Sequence, residues 1–268
     1  MTSGKATKRK RRQAQVPPPP VRAPGQRRQA SPKILIGAAF VVVMIVLAIV
    51  LGFVLTGGNS SSSSTPARGS LVNALPSATE INTTLKGIPQ HGNVLGSPNA
   101  PVTLAEYIDL QCPSCQEFET QAMPGLIRQY VRTGKVKVEA RPIAFIGPDS
   151  VTGRQAALAA AKQNRLFNFT QLLYFNQGVE NTGWLNDTMI KAAASSIPGL
   201  DVPRLLSDRK SPTISDQANA FDSQADQDNI TQTPTILVGK SGGQLREVAM
   251  QSLTDTASIS AAIAAAQH

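Results

Sequence analysis

The sequence predicts an α/β domain with an inserted helical domain, preceded by one transmembrane helix. Three observations predict it. Residues 34–55 form an uninterrupted apolar run, residues 101–138 read as strand, helix, strand, and strand signals return at residues 235–248 after a helical stretch at about 148–228. The first sets a membrane span, the second a parallel βαβ unit, and the third closes the sheet with a hairpin.

The 268-residue chain carries 26 Lys+Arg against 17 Asp+Glu, a net charge of +9. Ten of the basic residues lie in residues 1–33, and the first acid is Glu80. The other 16 basic residues therefore face all 17 acids, so residues 34–268 carry −1. Residues 1–33 include Pro17 to Pro20 and almost no large apolar side chain. Such a segment cannot bury enough surface to offset its ordering entropy, and it reads as a disordered basic cytoplasmic tail. Without interleaved aromatics, and set against an apolar run, its charge fits orientation and lipid contact, not nucleic acid.

The apolar run, residues 34–55, is broken only by Gly37 and Gly52. Its 22 residues, as a helix, span roughly 33 Å, the thickness of a bilayer's hydrocarbon core. Basic residues crowd its N-terminal side, which keeps the tail cytoplasmic and sends the rest across. A cleaved signal peptide is the competing reading. The long charged leader, the overlong apolar stretch and the lack of an Ala-x-Ala site favour an uncleaved signal anchor. The expected location is the cell membrane, single-pass, with an extracytoplasmic C-terminal domain. Residues 56–87, with Ser60 to Ser64 in one block, read as a flexible linker, and residues 88–267 as the folded domain.

Within that domain Pro101 to Asp109 reads as a strand, and Pro113 to Thr133 as a helix with Phe118, Met123, Leu126, Ile127 and Tyr130 along one stripe. Gly134 ends it, and Val136 and Val138 open a second strand, parallel to the first. Helical patterns follow at Arg154–Arg165, around Phe167–Phe175, at Met189–Ala194 and at Ser215–Asp226. Trp184, Phe167, Phe169 and Phe175 read as the core of these helices. Thr235 to Val238, Gly242-Gly243 and Leu245 to Val248 form a hairpin, and a last helix starts with Thr254 as N-cap.

Both cysteines of the chain sit in Cys112-Pro113-Ser114-Cys115. Random placement gives that spacing in fewer than about one per cent of cases. Two cysteines exclude a disulfide scaffold and a four-thiolate zinc site. The motif falls where strand gives way to helix, with Cys112 as N-cap and Pro113 at the first helical position. Unpaired backbone N–H groups and the helix dipole there favour a thiolate at Cys112. Cys115, one turn on, returns to the same side, is less exposed, and can close a disulfide with Cys112. Cys112 is thus the exposed sulfur that exchanges with a partner, and Cys115 resolves the mixed disulfide. Glu106, on the strand leading into the motif, is the candidate proton acceptor for Cys115. The bland alternative for it is a strand-end carboxylate in water.

Leu110-Gln111-Cys112-Pro113-Ser114-Cys115 after a strand, with Glu106 upstream and Thr233-Pro234-Thr235 before a later strand, resembles the DsbA-like thiol–disulfide oxidoreductases. The resemblance covers roughly residues 88 to 267. It implies a thioredoxin-like fold with its helical insertion, no cofactor beyond a redox-active Cys112–Cys115 disulfide, and no metal. It further implies a cis Pro234 beside Cys112, where Thr233 pairs with a substrate peptide. Strongly oxidising members resemble one another in a histidine between the cysteines. Ser114 stands there instead, which implies a less stabilised thiolate and a less oxidising disulfide.

The expected activity is introduction of disulfides into exported proteins with cysteines. Since only two cysteines are present and none lies in the apolar run, a separate membrane oxidase, DsbB-like or VKOR-like, must reoxidise the pair. A reductase or isomerase of the same fold is the nearest alternative. Copper handling needs a late histidine ligand, and no histidine lies between His91 and His268. In a non-catalytic binding module the bridge would be structural, yet a four-residue loop gains little from closure.

Overall fold

The computed structural model describes residues 65–268. The basic tail, the apolar run and the first part of the Ser-rich linker lie outside the described residues. Among the described residues no helix is long and apolar enough to cross a membrane.

The linker expected over 56–87 is shorter than its composition suggested. Helix α1 (Ala78–Leu85) lies within it, with Ala78, Ile81 and Leu85 buried. Upstream, the backbone of Arg68 pairs with that of Asp201 in an isolated antiparallel β-bridge, and Gly69 N–H donates to Leu200 O at 2.9 Å. Apolar residues at 78, 81 and 85 follow helical spacing, which the Ser-rich composition further upstream masked.

Two short strands follow, β1 (Gln90–His91) and β2 (Val94–Leu95), joined through Gly92 at φ 60°. At two residues each they give no readable alternation, and sequence reasoning placed no hairpin there. β3 (Val102–Ile108) and β4 (Val136–Pro142) form the expected parallel pair, in register from Val102↔Val136 to Ile108↔Pro142. β5 (Thr235–Lys240) runs antiparallel to β3, and β6 (Arg246–Glu247) completes the sheet in the order β1-β2-β4-β3-β5-β6. Central β3 is buried at all seven positions, as a strand covered on both faces must be.

Between β3 and β4 runs one helical rod, α2, over residues 113–131. It begins as an α-helix at Pro113–Glu117, loosens into a π turn at Phe118–Ala122, tightens at Met123–Leu126 and loosens again at Ile127–Val131. Pro124 has no N–H to give the carbonyl four residues back, and the wider turns flank that gap. The stripe of Phe118, Met123, Leu126 and Ile127 is buried against the sheet, with Tyr130 half-buried at its edge.

The insertion holds α3 (Pro148–Ala161), α4 (Leu166–Phe175), α5 (Asp187–Ser195), α6 (Val202–Asp208) and α7 (Pro212–Gln227). The four foreseen from the sequence all start earlier than its pattern suggested, α3 and α7 by the most. Pro148 and Pro212 open their helices from the first turn, where proline's fixed φ is an asset. α6 went unforeseen because seven residues carry too little periodicity. Asn186 caps α5 and Asp201 caps α6 through their side-chain oxygens. The final helix, α8 (Thr256–Ala266), is capped by Asp255, not Thr254: Asp255 Oδ1 accepts from Ser258 N–H at 3.0 Å.

Candidate active site

β3 ends at Ile108 and α2 begins at Pro113, so the cysteine motif sits at the C-terminal edge of the most buried strand. Cys112 caps α2 in an extended conformation, and its sulfur accepts the Cys115 N–H at 3.4 Å. Pro113 is exposed and Ser114 half-buried. Both cysteines are free thiols. The expectation of an exposed Cys112 sulfur is corrected: Cys112 is 7% exposed and Cys115 fully buried. The cover comes from the segment before β5, since the Cys112 thiol donates to Thr233 O at 3.3 Å and the Thr233–Pro234 peptide is cis.

The two thiols are driven apart in acidity. Cys112 is lowered from an ordinary 9.0 to about 6, first by a hydrogen bond from the Cys115 side chain. Burial opposes this, while the Thr233 side chain and the backbone N–H groups of Cys115 and Ser114 add to the lowering. The helix start contributes as expected from sequence, but the larger cause is the partner cysteine. Cys115 is pushed well above the ordinary thiol range, by burial first and then by the hydrogen bond and charge of Cys112. One thiolate and one thiol is the outcome near neutral pH.

Glu106 is 1% exposed and does not lie in water. It faces Glu119, on the first π turn of α2, and Gln171 of α4 donates to Glu119 Oε2 at 2.7 Å. Burial raises both carboxyl groups; the charge and hydrogen bond of Glu119 raise Glu106 further, whereas hydrogen bonds from Glu106 and Gln171 hold Glu119 down at about 7, so the pair's proton rests on Glu106 at neutral pH. Tyr174, buried on α4, has its hydroxyl pKa raised by burial and then by Cys115, Glu119 and Glu106, which places these groups around one phenol. Glu119 escaped sequence reasoning, although a carboxylate four residues after Cys115 within an apolar stripe was the available signal.

A carboxyl pKa raised by folding stabilises the fold at low pH, and that contribution is lost as pH rises through the folded value. Glu106→Gln is therefore expected to be more stable than the parent at pH 8, by about 2 kcal/mol. The advantage should shrink toward pH 4.5. Urea denaturation at both pH values checks this. The lowered pKa of Cys112 gives the dithiol form the opposite trend in both proteins, so the quantity to compare is the difference between them.

A second group of residues, unmarked in the sequence, holds the motif's leading turn. Asp109 is fully buried; its Oδ1 accepts from Gln111 N–H at 2.8 Å and Ser150 Oγ at 2.7 Å. Its Oδ2 accepts from Phe145 N–H at 2.7 Å and Ile146 N–H at 3.1 Å. Gln111 pairs with Asn181 in both directions, and Gln177 Nε2 donates to the carbonyls of Leu110 and Cys112. The helical insertion thus grips residues 109–112 from outside. Of the residues singled out in the sequence, Cys112, Cys115 and Thr233 meet directly, Pro113, Ser114 and Pro234 adjoin them, and Glu106 lies beneath with Glu119. Among the described residues no group of three or more His, Cys, Asp and Glu is placed to hold a metal ion.

Fold and dithiol together define a thiol–disulfide oxidoreductase, and the chain belongs to the thioredoxin family, whose Thioredoxin_4 model matches residues 90–253. It is 28% identical over 159 residues to disulfide bond formation protein D of Bacillus subtilis strain 168, covering 58% of this chain and 68% of that protein. To the probable disulfide bond formation protein D of Bacillus cereus it is 28% identical over 147 residues, 54% of this chain and 68% of that one. The crystal structure of oxidised BdbD from Bacillus subtilis superposes with a TM-score of 0.58 at 23% identity, over 67% of this chain and 97% of that one. That likeness is one of fold.

Proposed function

We propose that the chain is a membrane-tethered, extracytoplasmic oxidase that introduces disulfides into exported proteins. In this reading residues 34–55 anchor it, residues 1–33 stay in the cytoplasm, and the domain described here works on the far side. The observation that carries it is the division of acidity between Cys112, lowered to about 6, and the buried Cys115, raised well above the usual range. The relatives named for disulfide bond formation support the direction.

In the oxidised protein a substrate thiolate attacks Cys112, forming a substrate–Cys112 disulfide and breaking Cys112–Cys115. Cys115 departs and takes a proton, for which the Glu106–Glu119 pair is the source. The substrate's second thiolate then attacks its own sulfur in the mixed disulfide and expels Cys112 as a stable thiolate. Two electrons pass from the substrate dithiol to the cysteine pair. Thr233, across from Cys112 and before cis Pro234, offers its backbone to an extended peptide. A DsbB-like or VKOR-like membrane oxidase returns the pair to the disulfide.

Cys115→Ala leaves nothing to resolve the mixed disulfide from within. Expressed in its own cells, this variant should accumulate on substrates and on the reoxidising partner as species dissolved by dithiothreitol, and these should vanish when Cys112 is also replaced. Absence of such species sinks the reading. A reduction potential near the roughly −270 mV of thioredoxin would reverse the direction and favour a reductase.

A further inference from the structure

Beside the cysteine pair lies a cleft of about 330 Å³ that starts at Ser114 and Thr233 and runs toward the sheet edge. Its walls include the buried Pro234 and Ile236 and the half-buried Val248, Met250 and Leu253. Among its lining residues a single side chain is ionisable, Glu247 of the edge strand β6. Glu247 is exposed and has no salt-bridge partner among the described residues. Glu247 also borders a second cleft, between β6 and α8, which Arg246 and Lys240 line with it.

A cleft of mixed lining, in which Ser114, Gln232, Thr235 and Ser252 alternate with apolar wall and one carboxylate stands at the rim, matches a side chain that has an aliphatic stem and a cationic head. Lysine and arginine bury their methylenes along apolar surface and keep the charge at the edge. Methionine, unbranched and polarizable, lets the wall adjust to either. We propose that Glu247 is a specificity residue, selecting substrate peptides with a lysine or arginine two positions from the reacting cysteine. That spacing places the basic side chain on the cysteine's own face of an extended peptide. The inference rests on the oxidase reading and names the substrate class for the same site.

The test uses the oxidised full chain and dithiol peptides of equal length. They carry lysine, norleucine or glutamate two residues before, or two residues after, the reacting cysteine. At low ionic strength one of the two lysine placements should be oxidised with a kcat/KM about threefold above its norleucine counterpart, the scale of an exposed ion pair. The glutamate peptide of that placement should be slower than norleucine. The lysine preference should fall to one in Glu247→Gln, reverse in Glu247→Lys, and fade at 1 M salt, where the screening length is about 3 Å. Equal rates for lysine and norleucine in both placements, or a preference that survives Glu247→Gln, would overturn the assignment while leaving the oxidase reading intact. Failure to oxidise any peptide would overturn both.

Discussion

Exchange of Cys112 for serine is expected to abolish dithiol oxidation, a loss of at least about 10³-fold in turnover. Cys112 enters the proposed cycle twice, first as the sulfur attacked and then as the group expelled, and a hydroxyl can do neither. Expulsion is faster the lower the leaving thiol's pKa. With Cys112 lowered to about 6, each unit of lowering stabilises the departing thiolate by about 1.4 kcal/mol. The same property has a direct readout. Thiolate absorbance of the reduced protein near 240 nm should rise with a midpoint close to pH 6, and that rise should be missing in Cys112→Ser. In Cys115→Ala the midpoint should move upward, because the hydrogen bond from Cys115 is the largest cause of the lowering. An unmoved midpoint there would assign the low pKa to the helix start instead. A Cys112→Ser variant that still oxidised peptides would remove the motif from the chemistry.

The linear part of this site was legible in the sequence. Cys112, Pro113 and Cys115 are placed by strand–helix punctuation alone, and the parallel pairing of β3 with β4 follows from the helix between them. Depth was harder to read. The sulfur of Cys112 is covered by Thr233, 121 residues away, and no local pattern reports such a contact. Glu106 read as a carboxylate near the motif, but its partner Glu119 became visible only once α2 lay on β3. Glu119 looks like an ordinary polar interruption of a helix stripe. The polar clasp was the least legible part. Gln111, Ser150, Gln177 and Asn181 are residues that sequences normally spend on surfaces, and only the insertion's return to the β3 edge brings them together, with Gln111 and Ser150 buried, Gln177 half-buried and Asn181 exposed. α1 was missed for a related reason, since its three buried residues lie just beyond a serine-rich stretch that dominates the composition.

The clasp also sets the largest expected stability effect. Asp109→Ala should destabilise the domain by about 3–5 kcal/mol, a large share of the 5–15 kcal/mol typical of a whole domain. The four groups that meet the carboxylate are all donors. Gln111, Phe145 and Ile146 present backbone N–H groups. The Ser150 hydroxyl accepts from Gln111 Nε2 and so directs its own proton at Asp109. Alanine leaves four donors with no acceptor, the Gln111 N–H and Ser150 hydroxyl buried and the Phe145 and Ile146 N–H groups part-buried, and unmet groups cost more than the net worth of the bonds they made. Asparagine does little better, because its amide nitrogen would face N–H groups. Ser150→Ala removes one donor and spares the rest, so it should cost about 1 kcal/mol. Urea midpoints with unchanged slopes for both variants would measure the difference. If Asp109→Ala cost no more than Ser150→Ala, the carboxylate would not be the hub. The position of Asp109 gives the loss a second consequence. Its carbonyl accepts from Tyr174 and its backbone N–H helps hold Cys115, so the residue that ties α3 to the sheet also fixes the turn entering the motif. Loosening it should blur the Cys112 titration as well as lower the urea midpoint, whereas a core truncation such as Phe169→Ala, on the fully buried face of α4, should lower the midpoint alone.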